Sequence, residues 1–396
     1  MNIKIVILEL EHHADNLLGL LDAFSLVENY ILEITVITQK WIHKLIATEL
    51  YQYKNVEFLI NNKHYSHKDF ILKNVDKINS SDLLFINTIS LNFDIYDPIK
   101  EKVKIFVRVH NANILFNPHH SFYRKYVFIN PLSAILFFIK HKSLKRYISK
   151  FQAFKSKVNC FVFPEIEMWN YALENFQDIS CDNSCLLPLK LYKEKKGIHS
   201  SSDEFKIGII GALHKSTRDI ESIIQLLHHL HKTKFEQTIC FSFLGNIQTK
   251  AGKKIQNILE KTSSSIKIEY FDEDISQTSF ALALHALNCI IIPLNLNTNT
   301  SLFTEIYGKT KISGNISDIA ISPKPILIPE GYFAANMDGT GVIIYKGVMD
   351  LKTKLTTLNN DKNYYKQELS NIQKLAEKRY GKIEVKKCAD AIISKI

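Results

Sequence analysis

The sequence predicts an α/β protein built from two parallel, doubly wound halves. Three observations lead there. The chain has 396 residues, more than one ordinary domain and suited to two of about 200 residues each. Apolar, β-branched runs alternate with helix-spaced stretches in both halves, as buried parallel strands and their crossover helices require. A polar stretch, 190–203, with few large apolar side chains separates the two series.

In the first half the strand-like runs are Ile3–Leu8, Ile34–Thr38, Val56–Ile60, Leu83–Ile86, Val103–Val109 and Cys160–Phe163. After the first run, Leu17, Leu18, Leu21 and Phe24 recur at the spacing of one helix face. The second series opens with a strand at Phe205–Ile210, then Gly211 and a helix over Arg218–His231. Strands follow at Thr238–Leu244, which Gly245 ends, at Ile266–Tyr270 and at Asn288–Pro293, with a helix over Ser276–Ala286 before the last. A helix over Gly314–Ile321, strands at Pro325–Ile328 and Gly341–Tyr345, and an amphipathic helical stretch over Asp361–Ile396 complete the pattern. No internal repeat of solenoid length interrupts it. The expected domains are 1–190 and 203–360, with helices over 361–396 packing back across the linker. A ligand is expected in the cleft, at the C-terminal ends of the strands.

Composition narrows the function classes. Hydrophobic residues at 46% and charged residues at 23% exclude a largely disordered chain. No apolar run reaches the roughly 18 residues of a spanning helix. Met1 leads straight into a strand-like run, so no secretory leader is expected. The six cysteines are scattered without a CxxC pair, which suits free thiols in a reducing cytoplasm.

The net charge of +10 is concentrated in one place. Between Lys102 and Pro164 there are twelve Lys and Arg residues and no Asp or Glu, so the rest of the chain is slightly acidic. Such a segment calls for an anionic partner. Tyr126 to Ile139 is strongly apolar and broken by Pro131. Lys140, Lys142, Lys145, Arg146, Lys150, Lys155 and Lys157 follow, with Tyr147, Phe151 and Phe154 among them. An apolar wedge beside a basic, aromatic helix predicts attachment to an anionic membrane surface. The rival occupant of this segment is nucleic acid. No RNA or DNA motif supports it, and none is expected as partner.

Two stretches suit a phosphate. In the first, Lys309, Thr310, Lys311, Ser313 and Gly314 directly precede the expected helix at 314–321. Free backbone N–H groups and a positive dipole end, with two lysines, favour a diphosphate there. Asp318, about one turn in, is placed for ribose hydroxyls. In the second, a strand ends at Gly211 and a basic loop leads to Arg218; it is not a GxGxxG fingerprint.

A base is expected in the first half. Glu11, His12, His13 and Asp15 follow its first strand; Arg108, His110, Asn111 and Asn113 follow its fifth. A histidine at a strand's C-terminal end takes a proton from an acceptor hydroxyl, and His13 and His110 are the preferred catalytic pair. The 15 histidines show no HExxH or Cys/His spacing, so no tightly bound metal is expected. Neither a GxSxG nor a P-loop is present.

The order of these motifs over about 205–330 resembles the donor-binding domain of GT-B glycosyltransferases. Gly208, Gly211 and Arg218 match its opening strand and basic residue, and Gly245 the end of a later strand. Ile268–Ile275, with Asp272 and Ile275, matches the segment whose backbone faces the nucleotide base. Ile290–Pro293 matches an apolar strand ending in proline, and Pro323-Lys324-Pro325 a Gly-Lys-Pro-like turn. Asp318, six residues before Lys324, stands where many retaining members carry the second glutamate of a Glu-seven-Glu pair. The first would fall on Thr310, a departure; Glu305 is the nearby acid.

The resemblance implies two Rossmann-like domains facing a cleft, with C-terminal helices crossing back to the first. It implies a UDP-, GDP- or CDP-sugar donor and no tightly bound cofactor. The donor side is expected to use Gly211, Arg218, Gly245, Asp272, Ile275, Lys309, Lys311, Ser313, Gly314 and Asp318. The acceptor would be a saccharide or a lipid-linked one in cell-surface polysaccharide or lipopolysaccharide synthesis, met on the inner face of the plasma membrane. A nucleotide-sugar epimerase of the same fold is the other enzyme class this pattern allows.

Overall fold

The computed structural model describes residues 2–11, 13–53, 55–122, 131–193, 204–211, 213–214, 216–230, 233, 235–246, 250–259, 266–271, 275–300, 302–332, 337 and 339–396. The chain forms two compact units. The first gathers Met1–Lys190, Asn299–Ile312 and Ile383–Ile396; the second gathers Leu191–Thr298 and Ser313–Lys382.

Among the described residues, seven strands build the sheet of the first unit. They are β1 (Asn2–Glu9), β2 (Ile31–Gln39), β3 (Val56–Asn61), β4 (Leu83–Ile86), β5 (Lys104–Arg108), β6 (Val158–Phe163) and β7 (Ser184–Leu186). Every pairing is parallel, in the order β3-β2-β1-β4-β5-β6-β7. The near-continuous apolar runs of β1, β4 and β5 follow from burial on both faces. The order reverses between β1 and β4, and polar residues at the C-terminal ends of those strands share a topological switch point. The helix Ala14–Phe24 turns Leu17, Leu20, Leu21 and Phe24 inward. It packs closely enough that a Cβ on Gly19 would stand 1.7 Å from the Leu189 carbonyl oxygen, so only glycine fits.

The second unit repeats the plan. Its strands are β8 (Glu204–Ile210), β9 (Thr238–Asn246), β10 (Ile266–Phe271), β11 (Cys289–Ile291), β14 (Ile326–Pro329) and β15 (Val342–Tyr345), ordered β10-β9-β8-β11-β14-β15 and all parallel. The switch point lies between β8 and β11. Helix Ile220–Leu230 buries Ile223, Leu226, Leu227 and Leu230 against the sheet.

Several elements differ from the sequence reading. The strand pair β12 (Asn297–Thr300) and β13 (Phe303–Ile306) was not foreseen, and Asn299–Ile312 belongs to the first unit rather than to a 203–360 domain. The cause is Phe303, fully buried among Phe122, Phe137 and Tyr147. The helix Gly347–Asn360 was also missed. The last stretch is two helices, Lys362–Tyr380 and Lys382–Ile393, and the chain rejoins the first unit at Ile383.

Candidate functional site

At the switch point of the first unit, the expected histidines meet. The rings of His13 and His110 stack with centroids 4.5 Å apart and 13° between planes. His110 is nearly buried, and its Nε2 lies 2.8 Å from the carbonyl oxygen of Asn87. A carbonyl oxygen only accepts, so Nε2 carries the hydrogen and the lone pair is on Nδ1. Burial, then the neighbouring His13, holds the His110 pKa well below the ordinary imidazole value; Arg108 and Lys311 add to this. The ring is therefore neutral at neutral pH. Glu11 lies 3.4 Å from His67 Nδ1, and Asp15 3.6 Å from Lys190 Nζ. His12 lies outside the described residues. Asn87 and Glu9 were missed, although Asn87 follows a buried apolar strand just as His13 and His110 do.

In the second unit, Gly211 follows β8 with φ +86, a conformation natural to glycine. A Cβ there would also lie 2.7 Å from Arg218 Nη2. Arg218 is almost buried; Nη2 donates to Ile210 O at 3.4 Å and to Asn315 Oδ1 at 3.2 Å. Asn315 Nδ2 donates to the same Ile210 carbonyl at 2.8 Å, and Ser313 Oγ lies 3.3 Å from Asn315 Oδ1. Gly211, Arg218, Ser313 and Asn315 thus converge on the C-terminal end of β8. Asn315 was not singled out from sequence; its signal is an asparagine directly after Ser313-Gly314. Gly314 is exposed, and a Cβ on it would meet nothing within 4 Å.

The helix expected over Gly314–Ile321 is one α-turn, Gly314–Ser317, followed by a 3-10 turn, Asp318–Ala320. A single turn carries little aligned dipole, so the dipole argument for a phosphate at 313–314 lapses. Asp318 is buried within that turn. Gly245 is half-buried and lies inside β9 instead of ending it. Ile275 is half-buried just before the helix Gln277–Ala286. Asp272 lies outside the described residues.

Lys309 and Lys311 belong to the first unit, whereas Ser313 and Gly314 belong to the second. Lys311 bridges to Asn111 through the backbone, and its ammonium lies 5.4 Å from the Tyr307 ring centroid. Thr310 O accepts from Ala112 N at 2.6 Å. Glu305 is fully buried and accepts from Asn113 N at 3.3 Å and Ile114 N at 3.0 Å. Burial pushes its carboxyl up to about 7 against the opposing hydrogen bonds and Lys311. These contacts brace the loop that carries His110.

The basic segment divides. In the helix Pro131–His141, Leu132, Ile135, Leu136, Phe138 and Ile139 are exposed, the first at 67% and the last at 71%. Lys142, Lys145 and Arg146 are exposed beside them, while the side chain of Lys140 lies outside the described ones. Lys150 is paired with Asp94, and Lys155 with Asp178. Tyr147, Phe151 and Phe154 do not face out as a membrane-binding aromatic helix would; they are buried, because their spacing aligns them on one face against Phe93. No helix among the described residues is long and apolar enough to cross a membrane.

Two other features do not form a ligand site. Glu204, Cys240 and Glu269 converge within 4.8 Å. Lys267 and Lys206 neutralise the carboxylates, and burial raises the Cys240 thiol to about 12, a poor metal ligand. A groove of about 580 Å³ between Lys4, Glu33, Glu57 and Lys77 lies at the N-terminal ends of β1–β3. In such sheets ligands sit at the other end.

No protein-family profile matches the chain, and no curated protein matches its sequence. Solved structures match its fold. HepE of Anabaena, crystallised with UDP and glucose, gives a TM-score of 0.63 at 13% identity over 100% of both chains. A glycosyltransferase of Rickettsia africae gives 0.60 at 11% identity, over 100% of this chain and 98% of that one. A Listeria monocytogenes protein described as a UDP-N-acetylglucosamine 2-epimerase gives 0.57 at 10% identity, over 100% and 95%. Together with the two parallel sheets, these likenesses establish the GT-B fold.

Proposed function

We propose that the protein is a glycosyltransferase that moves a sugar from a nucleotide-sugar to a saccharide or lipid-linked acceptor at an anionic membrane surface. One observation carries the reading: the buried, backbone-anchored Arg218 beside Gly211 and Asn315 at the end of β8. A fixed guanidinium at a strand's C-terminal end suits a diphosphate, and HepE, of the same fold, was crystallised with UDP and glucose. In the reaction the anomeric C–O bond to the diphosphate breaks and a new one forms to the acceptor oxygen. Arg218 stabilises the charge left on the departing nucleotide. The His13–His110 pair takes the acceptor proton if the outcome is inverting.

A thermal-shift or calorimetric screen against UDP, GDP, CDP and their common sugars tests this. One nucleotide present at about 100 times its Kd is expected to stabilise the fold by about 2.7 kcal/mol. A folded protein that none of them stabilises would sink the reading. Release of a soluble isomerised nucleotide-sugar would make it an epimerase instead.

The membrane part has its own test. The exposed Leu132, Ile135, Leu136, Phe138 and Ile139 suit interfacial burial, and Lys142, Lys145 and Arg146 suit anionic headgroups. Replacing those three cations with glutamine is expected to weaken binding to phosphatidylglycerol vesicles by about a hundredfold, at about 1 kcal/mol each. Equal co-sedimentation with anionic and neutral vesicles would count against this surface.

A further inference from the structure

Three buried polar side chains tie together the C-terminal ends of the central strands of the first unit. Glu9 ends β1, Asn87 follows β4 and Arg108 ends β5; all three have no exposed surface. Glu9 and Arg108 make no direct ion pair among the described residues. The Asn87 carboxamide joins them: its Nδ2 donates to Glu9 Oε2 at 2.5 Å, and its Oδ1 accepts from Arg108 Nη1 at 2.8 Å. Its backbone N–H donates to Leu8 O at 3.0 Å, and its carbonyl accepts from His110 Nε2 at 2.8 Å. Every polar group of Asn87 is thereby engaged.

The same network reaches His13. Glu9 Oε1 accepts from Glu11 N at 3.0 Å, in the loop that leads to His13. Arg108 Nη1 also donates to Asn16 O at 3.2 Å, in the first turn of the helix that His13 caps. Stability is a weak reason for such a network, since well-packed apolar residues of similar volume often replace buried charges at no loss or with a gain. Arg108 moreover leaves Nε and Nη2 without hydrogen-bond partners, with only the Phe85 ring beside the guanidinium, a further cost to the fold. What the network does supply is the position of two rings.

We infer that Asn87, clamped by Glu9 and Arg108, is a positioning residue that fixes His110 as the Nε2–H tautomer, flat against His13, with the Nδ1 lone pair free for a proton. This rests on the reading of His13 and His110 as the proton acceptor. The charged and titratable groups acting on His110 are His13, Arg108 and Lys311, which all oppose its protonation. The Arg108 charge is itself offset by Glu9 and Asp15.

Nitrogen NMR of histidine-labelled wild-type protein is the test that needs no variant. His110 is expected to show a single Nε2–H tautomer that stays neutral well below the pH at which a free imidazole titrates. A ring protonated on Nδ1, or an even mixture, overturns the inference. In the Asn87→Ala variant the His110 signals are expected to become a tautomer mixture. Its kcat for nucleotide-sugar turnover falls about a hundredfold while the donor KM stays within about twofold, as misplacement of a reacting group requires. A folded Asn87→Ala variant with wild-type kcat and an unmixed tautomer also overturns it. Failure of the wild type to turn over any nucleotide-sugar defeats the transferase reading alone, because the tautomer is read without substrate.

Discussion

Arg218→Ala is expected to abolish most of the affinity for a nucleoside diphosphate. The guanidinium is almost buried and held by Ile210 O and Asn315 Oδ1, so its direction is set before any ligand arrives. Truncating one partner of a desolvated, hydrogen-bonded charge pair costs about 2–5 kcal/mol, and each 1.4 kcal/mol or so is tenfold in Kd. The expected loss is therefore about 30-fold at the least and up to about a thousandfold or more. Arg218→Lys is expected to recover little, because a point charge cannot span the two carbonyl-side acceptors and a phosphate as a planar fork does. Lys346→Ala, on the same unit with an exposed side chain, is the control and leaves Kd unchanged. Calorimetric titration of the nucleotide chosen by the screen reads all three. Equal affinity in wild type and Arg218→Ala would remove the diphosphate site from the end of β8.

Glu305→Gln is expected to remove a large pH dependence of stability. Burial raises the Glu305 carboxyl from its ordinary 4.5 to about 7 in the folded chain. The folded state thus favours the protonated form. The stability associated with the neutral carboxyl is fully present below about pH 4.5 and is lost as the pH rises through about 7. At about 1.36 kcal/mol for each pH interval of one between those two values, the loss totals about 3 kcal/mol. The glutamine variant carries no such titration. Its absolute stability is lower, since one amide oxygen serves the two N–H donors of Asn113 and Ile114. Denaturant unfolding of both proteins at about pH 5 and pH 8 isolates the effect, because all other titrations cancel in the difference. The variant should gain about 2.5 kcal/mol relative to wild type across that interval, the first part of the loss having occurred below about pH 5. A difference independent of pH would mean that Glu305 is ionised in the folded protein at low pH.

Local sequence carries strands, helices and the residues at strand ends, and it carries them well here. Leu83–Ile86 and Ile3–Leu8 are short, apolar and rich in β-branched or large side chains, as buried strands are, and a histidine just beyond β1 and another just beyond β5 were legible for that reason. What joins them was not. Asn87 and Glu9 are ordinary letters until β1, β4 and β5 are known to be neighbours, and that adjacency is a matter of strand order. Arg108 did give a signal, as a cation at the end of an apolar strand. The excursion at 299–312 was misplaced because Asn297–Thr300 is all Asn and Thr, with no apolar period to read. The anchor that assigns it to the first unit, Phe303, finds its partners more than 150 residues earlier in the chain. The basic segment misled in a different way. Its acids lie outside the window, so Asp94 and Asp178 neutralise Lys150 and Lys155 from distant parts of the sequence.

The first unit is assembled from three separate lengths of chain, the last being Ile383–Ile396, where Val385, Ile392 and Ile393 are buried. A ribosome that has reached Lys190 has therefore made most of one globule and cannot finish it. The β13 insert arrives more than a hundred residues later, and the segment from Ile383 almost two hundred residues later. The early globule must wait with part of its apolar interior uncovered, for some tens of seconds at about 5–20 residues per second. Folding of the first unit is thus tied to synthesis of the second. A chain that stopped short of Ile383 would leave not a smaller molecule but one whose oldest unit is still open.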